Sequence, residues 1–166
     1  MKFSCPGAIS SLVILAMFSV ANSAKANLGD SEEQLIARYG PEIIKTKDQP
    51  GNGAVALDRL SFNKSGFQID VLLFSGVSSE ESVYHRPYAP LTEEEIKTLL
   101  DANRENQSWK MVGPQQELQH GLHSLEFWQR TDGTVASLEG TNDKPRLLFH
   151  VQSLELANAE QKARQQ

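Results

Sequence analysis

The chain has 166 residues, with 16 Lys+Arg against 21 Asp+Glu, a formal charge of −5 and a single Cys. That length allows one or two small domains and excludes a large multidomain enzyme. The acidic balance offers no cationic footprint for a phosphate backbone or an anionic lipid surface, so nucleic acid is not among the expected partners.

The first segment predicts a cleaved export signal over residues 1–26. Lys2 gives a positive start, Ala8 to Val20 carries no charge, and Ala24-Lys25-Ala26 sets small residues at the −3 and −1 positions of a cut before Asn27. A cut after Ser23, with Ala21 at −3, satisfies the same chemistry. The apolar run is shorter than the roughly 20 residues that span a bilayer, so no stable membrane insertion is expected after cleavage. Cys5 lies ahead of the apolar run, away from any cleavage point, which argues against acylation. Removal of residues 1–26 leaves 140 residues with 14 Lys+Arg against 21 Asp+Glu, a charge of −7 and no thiol. The expected product is a periplasmic or secreted protein without disulfides or thiolate ligands, stabilised by its core alone.

Two segments open alike. Ser31-Glu32-Glu33-Gln34 precedes Leu35, Ile36 and Tyr39, and Thr92-Glu93-Glu94-Glu95 precedes Ile96, Leu99 and Leu100. Each is a capping box with acids in the first turn, and each predicts a short helix, stopped by Gly40-Pro41 in one case and near Asp101–Asn103 in the other. Alternating runs follow. Leu57–Asn63 and Phe67–Phe74 flank a Lys64-Ser65-Gly66 turn, and Ser75-Gly76 leads to a strand around Ser82–His85, with Glu80-Glu81 read as a solvated loop. After the rigid Pro87-Tyr88-Ala89-Pro90 connector and the second helix, strands are expected at Ser108–Val112, Leu122–Gln129, Val135–Leu138 and Arg146–Ser153. Residues 154–166, rich in Ala, Gln and charge, read as a frayed helix or a flexible tail.

The predicted fold is α+β: two tandem αβββ units, 27–86 and 92–153, joined by a connector at 87–91, with helices packed on antiparallel sheet. An offset of 61 lays Ser31, Leu35 and Tyr39 on Thr92, Ile96 and Leu100, and an offset of 65 lays Leu60 and Phe62 on Leu125 and Phe127, and Val83–His85 on Leu148–His150. The alternation predicts a core of Leu60, Phe62, Phe67, Ile69, Val71, Leu73, Leu125, Phe127, Leu148 and Val151. Leu35, Tyr39, Ile96 and Leu100 are expected to pack on it from the helices.

With its helix opening Gly29-Asp30-Ser31-Glu32-Glu33-Gln34-Leu35-Ile36-Ala37-Arg38-Tyr39-Gly40, the chain resembles the superfamily of β-lactamase inhibitory proteins and small outer-membrane assembly lipoproteins, and also exported proteins of Gram-negative bacteria. The resemblance implies a protein that binds other proteins and catalyses nothing. The disulfides of the inhibitory proteins and the acylated cysteine of the lipoproteins have no counterpart here, so neither specific activity is carried over.

The residue chemistry points the same way. His120-Gly121-Leu122-His123, with Glu117 and Glu126, is the nearest approach to a metal-ligand cluster. Yet His-x-x-His shares a face only on a helix, and Gly121 and a following strand oppose one, so no metal and no cofactor is expected. His85 and His150, at strand ends, read as half-buried structural residues. The Glu93–Glu95 triplet is accounted for by a helix first turn. No nucleophile elbow, phosphate loop, dinucleotide fingerprint or His-Glu-x-x-His occurs. Asn63-Lys64-Ser65 and Asn106-Gln107-Ser108 match a glycosylation pattern but fit turn and loop chemistry. The binding candidates are aromatic: Trp128, Trp109, Tyr84 and Tyr88 lie in or beside strands, and since Trp128 follows Phe127, one of the two must face away from the core. The expected function is that of a non-catalytic exported protein that binds a protein or envelope component through its antiparallel sheet, with a periplasmic hydrolase or a metal- or small-molecule-binding protein as the alternatives.

Overall fold

The computed structural model describes residues 28–48, 55–113, 123–141 and 143–165. Helix α1 (Glu32–Tyr39) leads into β1 (Ile44–Asp48), β2 (Leu57–Lys64), β3 (Phe67–Phe74) and β4 (Val77–His85). Helix α2 (Glu93–Ala102) leads into β5 (Lys110–Gly113), β6 (His123–Gln129), β7 (Val135–Gly140) and β8 (Leu148–Gln152), and α3 (Leu154–Ala163) follows. All eight strands join one antiparallel sheet in the order β1-β2-β3-β4-β8-β7-β6-β5.

The expected pair of αβββ units is therefore corrected. The class is α+β with strand predominating, 42% strand against 24% helix among the described residues, in a single sheet. The reason lies at the sheet centre. β4 pairs with β8 through Glu80↔Gln152, Glu81↔Val151, Ser82↔His150 and Val83↔Phe149, so the strand that would have been an unpaired edge of one unit is consumed by the other.

Local chemistry explains most elements. Both capping boxes form, Ser31 with Gln34 and Thr92 with Glu95, and Gly40 (φ 93) and Asn103 end the two helices. Ser65-Gly66 and Ser75-Gly76 hold positive φ at both central residues, the geometry that matches strand twist in a two-residue hairpin. The Arg86–Pro87 peptide bond is cis. Two further expectations need correction. Glu80 and Glu81 lie inside β4, where Glu81 is fully buried and accepts a hydrogen bond from the Tyr39 hydroxyl at 3.4 Å. Of the two expectations for the C-terminal segment, residues 154–163 take the helical one, capped by Ser153 and pinned by a fully buried Leu156, and not the flexible tail. The cap and the buried leucine both favour order in a segment whose composition alone looks disordered.

One face of the sheet carries the core. Leu60 and Phe62 of β2, Ile69, Val71 and Leu73 of β3, Val83 of β4 and Phe149 and Val151 of β8 are all buried there, under Leu35 and Tyr39 of α1 and Ile96 and Leu99 of α2. Phe67 and Leu100 are only half-buried against it, as is Leu148 away from it; the side chain of Leu125 lies outside the described residues.

The outward Trp128 expected from the sequence is also corrected. Its side chain is buried in the core, 6% exposed, while Phe127 takes the other face. A β-bulge is responsible. Ser124 pairs with Glu139 but Glu126 with Leu138, so Leu125 is an extra residue, and the phase of every later side chain in β6 flips. Trp128 then lies opposite the buried Ala136. Trp128→Ala is expected to cost about 3–5 kcal/mol, whereas Tyr88→Ala, at a 64% exposed residue, should stay within about 1 kcal/mol of wild type. Urea unfolding followed by circular dichroism measures both, and equal losses would contradict this placement of Trp128.

Candidate functional site

The face of the sheet opposite the core is rich in polar residues. By alternation it presents Arg59 and Ser61 from β2, Gln68, Asp70 and Leu72 from β3, Glu80, Ser82 and Tyr84 from β4, and Leu148, His150 and Gln152 from β8. Register brings them into cross-strand rows: Arg59, Leu72, Glu80 and Gln152 in one, and Ser61, Asp70, Ser82 and His150 in the next. α3 lies against one end of this face, where Gln152 Nε2 donates to both Glu80 (3.3 Å) and Glu160 (3.2 Å). Beyond the helix a groove of about 390 Å³ stays open, lined by Arg59, Asp70, Leu72, Glu80, Ser82, Tyr84, Tyr88, Leu147 and Leu148.

Asp70 organises the floor of the groove. Its Oδ1 accepts from Ser61 Oγ (2.6 Å) and Gln68 Nε2 (3.0 Å), and its Oδ2 from the Tyr84 hydroxyl (2.9 Å). The Tyr84 ring stacks on Tyr88, centroids 5.1 Å apart and planes 12° apart. Burial, and then the hydrogen bond to Asp70, push the Tyr84 phenol well above its ordinary value. Tyr88, from the connector, leaves its ring largely in solvent.

Beside the floor lies a second polar group. Burial, reinforced by the Glu160 charge, pushes Glu80 up to about 7, against the opposing effects of Arg59 and the Gln152 hydrogen bond. Burial lowers His150, although Glu139 and Glu160 oppose it. Ser82 Oγ lies 3.2 Å from His150 Nδ1, and Glu80 Oε1 lies 3.9 Å from the same nitrogen. A serine relay needs the hydroxyl and the carboxylate on opposite ring nitrogens. Here both address one, and β4 is paired on both sides, which commits its amides to the ladders instead of an oxyanion. The contact is a structural cross-strand pair.

Of the four aromatic candidates, the structure brings Tyr84 and Tyr88 together and separates the other two. Trp128 is a core residue. Trp109 is half-buried, donates from Nε1 to the Leu100 carbonyl at 2.7 Å, and lies 5.5 Å beneath the Arg130 guanidinium. Arg130 is itself buried, and its donors are engaged by the Asn103 carbonyl, Glu105, Asp132 and Thr134. Burial pushes Asp132 up, but the hydrogen bonds from Arg130 and the Thr134 amide hold it below its ordinary value. This assembly ties the end of α2 to the β6–β7 turn. His120 lies outside the described residues. His123 begins β6 opposite Gly140, its side chain undescribed, and Glu126 bonds Arg146 at 3.3 Å. Among the described residues no three His, Cys, Asp or Glu side chains are placed to hold a metal ion. His85 stacks on Phe67 (4.4 Å) and reaches Glu95 at 3.3 Å, joining β4 to α2. Sequence reasoning missed Asp70, Arg59 and Leu72. The signal for Asp70 was its alternation with Ile69 and Val71, which turns it from the core.

No protein-family model and no curated protein matches the chain. Among solved structures, a cysteine-rich secretory protein from Staphylococcus aureus is similar at a TM-score of 0.45 and 9% identity, covering 78% of this chain; the match spans 44% of that protein. A likeness of this depth carries no functional information.

The Glu80 environment makes a signed prediction. A carboxyl raised from 4.5 to about 7 in the folded state contributes stability that is fully present below pH 4.5 and lost as pH rises to 7. Glu80→Gln, which mimics the protonated form, should therefore stabilise the protein at pH 8 by about 2–3 kcal/mol, with the gain shrinking toward zero as pH approaches 4.5. Chemical denaturation across that range measures it, and a gain independent of pH would contradict the assignment.

Proposed function

We propose that the chain is an exported, non-catalytic protein that binds a protein or envelope component through the polar face of its antiparallel sheet, at the groove floored by Asp70 and walled by Tyr84 and Tyr88. The observation that carries this reading is the tyrosine pair. Tyr84 is fixed by its bond to Asp70, and Tyr88, stacked on it, stays 64% exposed. An aromatic held rigid yet open to solvent loses little entropy on binding and offers a large contact area. Three further features support the reading. The first 26 residues have the pattern of an export signal. No helix among the described residues is long and apolar enough to cross a membrane. The neighbouring Ser82, His150 and Glu80 groups are arranged as a packed pair with no relay.

Affinity capture from an envelope extract, run in parallel with wild type and Tyr88→Ala, tests the proposal. Wild type should retain components that the variant loses, with the two proteins matching in far-ultraviolet circular dichroism and melting temperature. Identical retained sets would overturn the groove as the recognition surface.

A further inference from the structure

Asp70 is a half-buried carboxylate held by three neutral donors, the Ser61 hydroxyl, the Gln68 amide and the Tyr84 phenol. Among the described residues no cationic side chain bonds it. Removing a carboxylate partly from water is costly unless a countercharge accompanies it, and a network of neutral donors fixes the position of that charge without cancelling it. Among the described residues lining the groove, Arg59 is the one cation, and its charge opposes the rise of Glu80. With both carboxylates ionised, Asp70 and Glu80 outnumber Arg59 in the groove lining, so the groove is negative at pH above about 7, in a protein that is acidic overall and attracts cations at a distance.

The stacked rings of Tyr84 and Tyr88 set what kind of cation fits. An aromatic face attracts a cation, and a planar guanidinium can lie flat on one while its fork reaches a carboxylate; a spherical ammonium cannot do both equally well. The groove volume of about 390 Å³ is at the small end of ligand sites and suits one long side chain with its flanking backbone.

Resting on the groove as the recognition surface, we propose that Asp70, at the hydroxyl edge of the Tyr84–Tyr88 pair, receives an arginine side chain from an extended segment of a partner protein. The test uses isotopically labelled protein titrated with a blocked Gly-Gly-Arg-Gly-Gly peptide, followed by amide chemical shifts, with the lysine and citrulline counterparts alongside. The arginine peptide should give saturable shifts centred on Asp70, Tyr84 and Tyr88. Citrulline, which keeps the shape and loses the charge, should bind at least about tenfold more weakly, and so should the arginine peptide to Asp70→Asn. If Asp70→Asn fails to fold, the comparison of arginine with citrulline on the wild type decides alone. Absent shifts, citrulline equal to arginine, or lysine equal to arginine would each overturn the proposal. If Asp70→Asn keeps the envelope components that Tyr88→Ala loses, the arginine receptor fails and the recognition surface stands; if Tyr88→Ala loses none, both fall.

Discussion

The pairing of β4 with β8 is the interaction on which the rest of the structure depends. Four residue pairs, from Glu80↔Gln152 to Val83↔Phe149, join segments about 70 positions apart in the chain. Each backbone hydrogen bond contributes only about 1 kcal/mol net, so the ladder alone does not offset the entropy of ordering the residues it joins. The side chains on the core face do. Val83, Phe149 and Val151 are each 1% exposed or less, and burial of an apolar side chain of this size contributes about 1.5–3 kcal/mol.

The same pairing builds the opposite face. Because side chains alternate, whatever register buries Val83 against Phe149 must also set Ser82 beside His150 and Glu80 beside Gln152. Core and groove are thus two readings of one register. The polar face carries a cost in stability: Glu80 sits where burial disfavours its charge, and α3 brings Glu160 up to the same Gln152 amide. A face optimised for stability alone would hold apolar residues in these positions. That the ionisable groups line an open concavity is what makes the face a candidate for recognition.

Much of the local structure was legible in the chain. The two capping boxes, the Ser-Gly hairpins and the alternation of Ile69, Val71 and Leu73 each follow from short-range chemistry, and each formed. The long-range terms were not. Nothing local distinguishes a β4 that ends a separate unit from a β4 that pairs with β8. A one-residue bulge at Leu125 exchanged the faces of Phe127 and Trp128, because alternation counts residues and cannot see an unpaired one. β1, whose Lys45, Thr46 and Lys47 give no apolar alternation, carried no signal as a strand; lysines are what an edge strand uses to discourage further pairing. Within the site, the tyrosines were legible as aromatics beside a strand, but the partnership of Tyr84 with Asp70 required the β3–β4 register.

Native-state amide exchange in low denaturant tells whether one sheet, joined at β4 and β8, unfolds as a single cooperative unit. The slowest-exchanging amides of β3, β4, β7 and β8 should share one opening free energy equal to that of global unfolding. If the amides of residues 57–85 and those of residues 123–152 opened at separate free energies, with β4 and β8 exchanging early, the two halves would be independent and the β4–β8 pairing would not hold the sheet together.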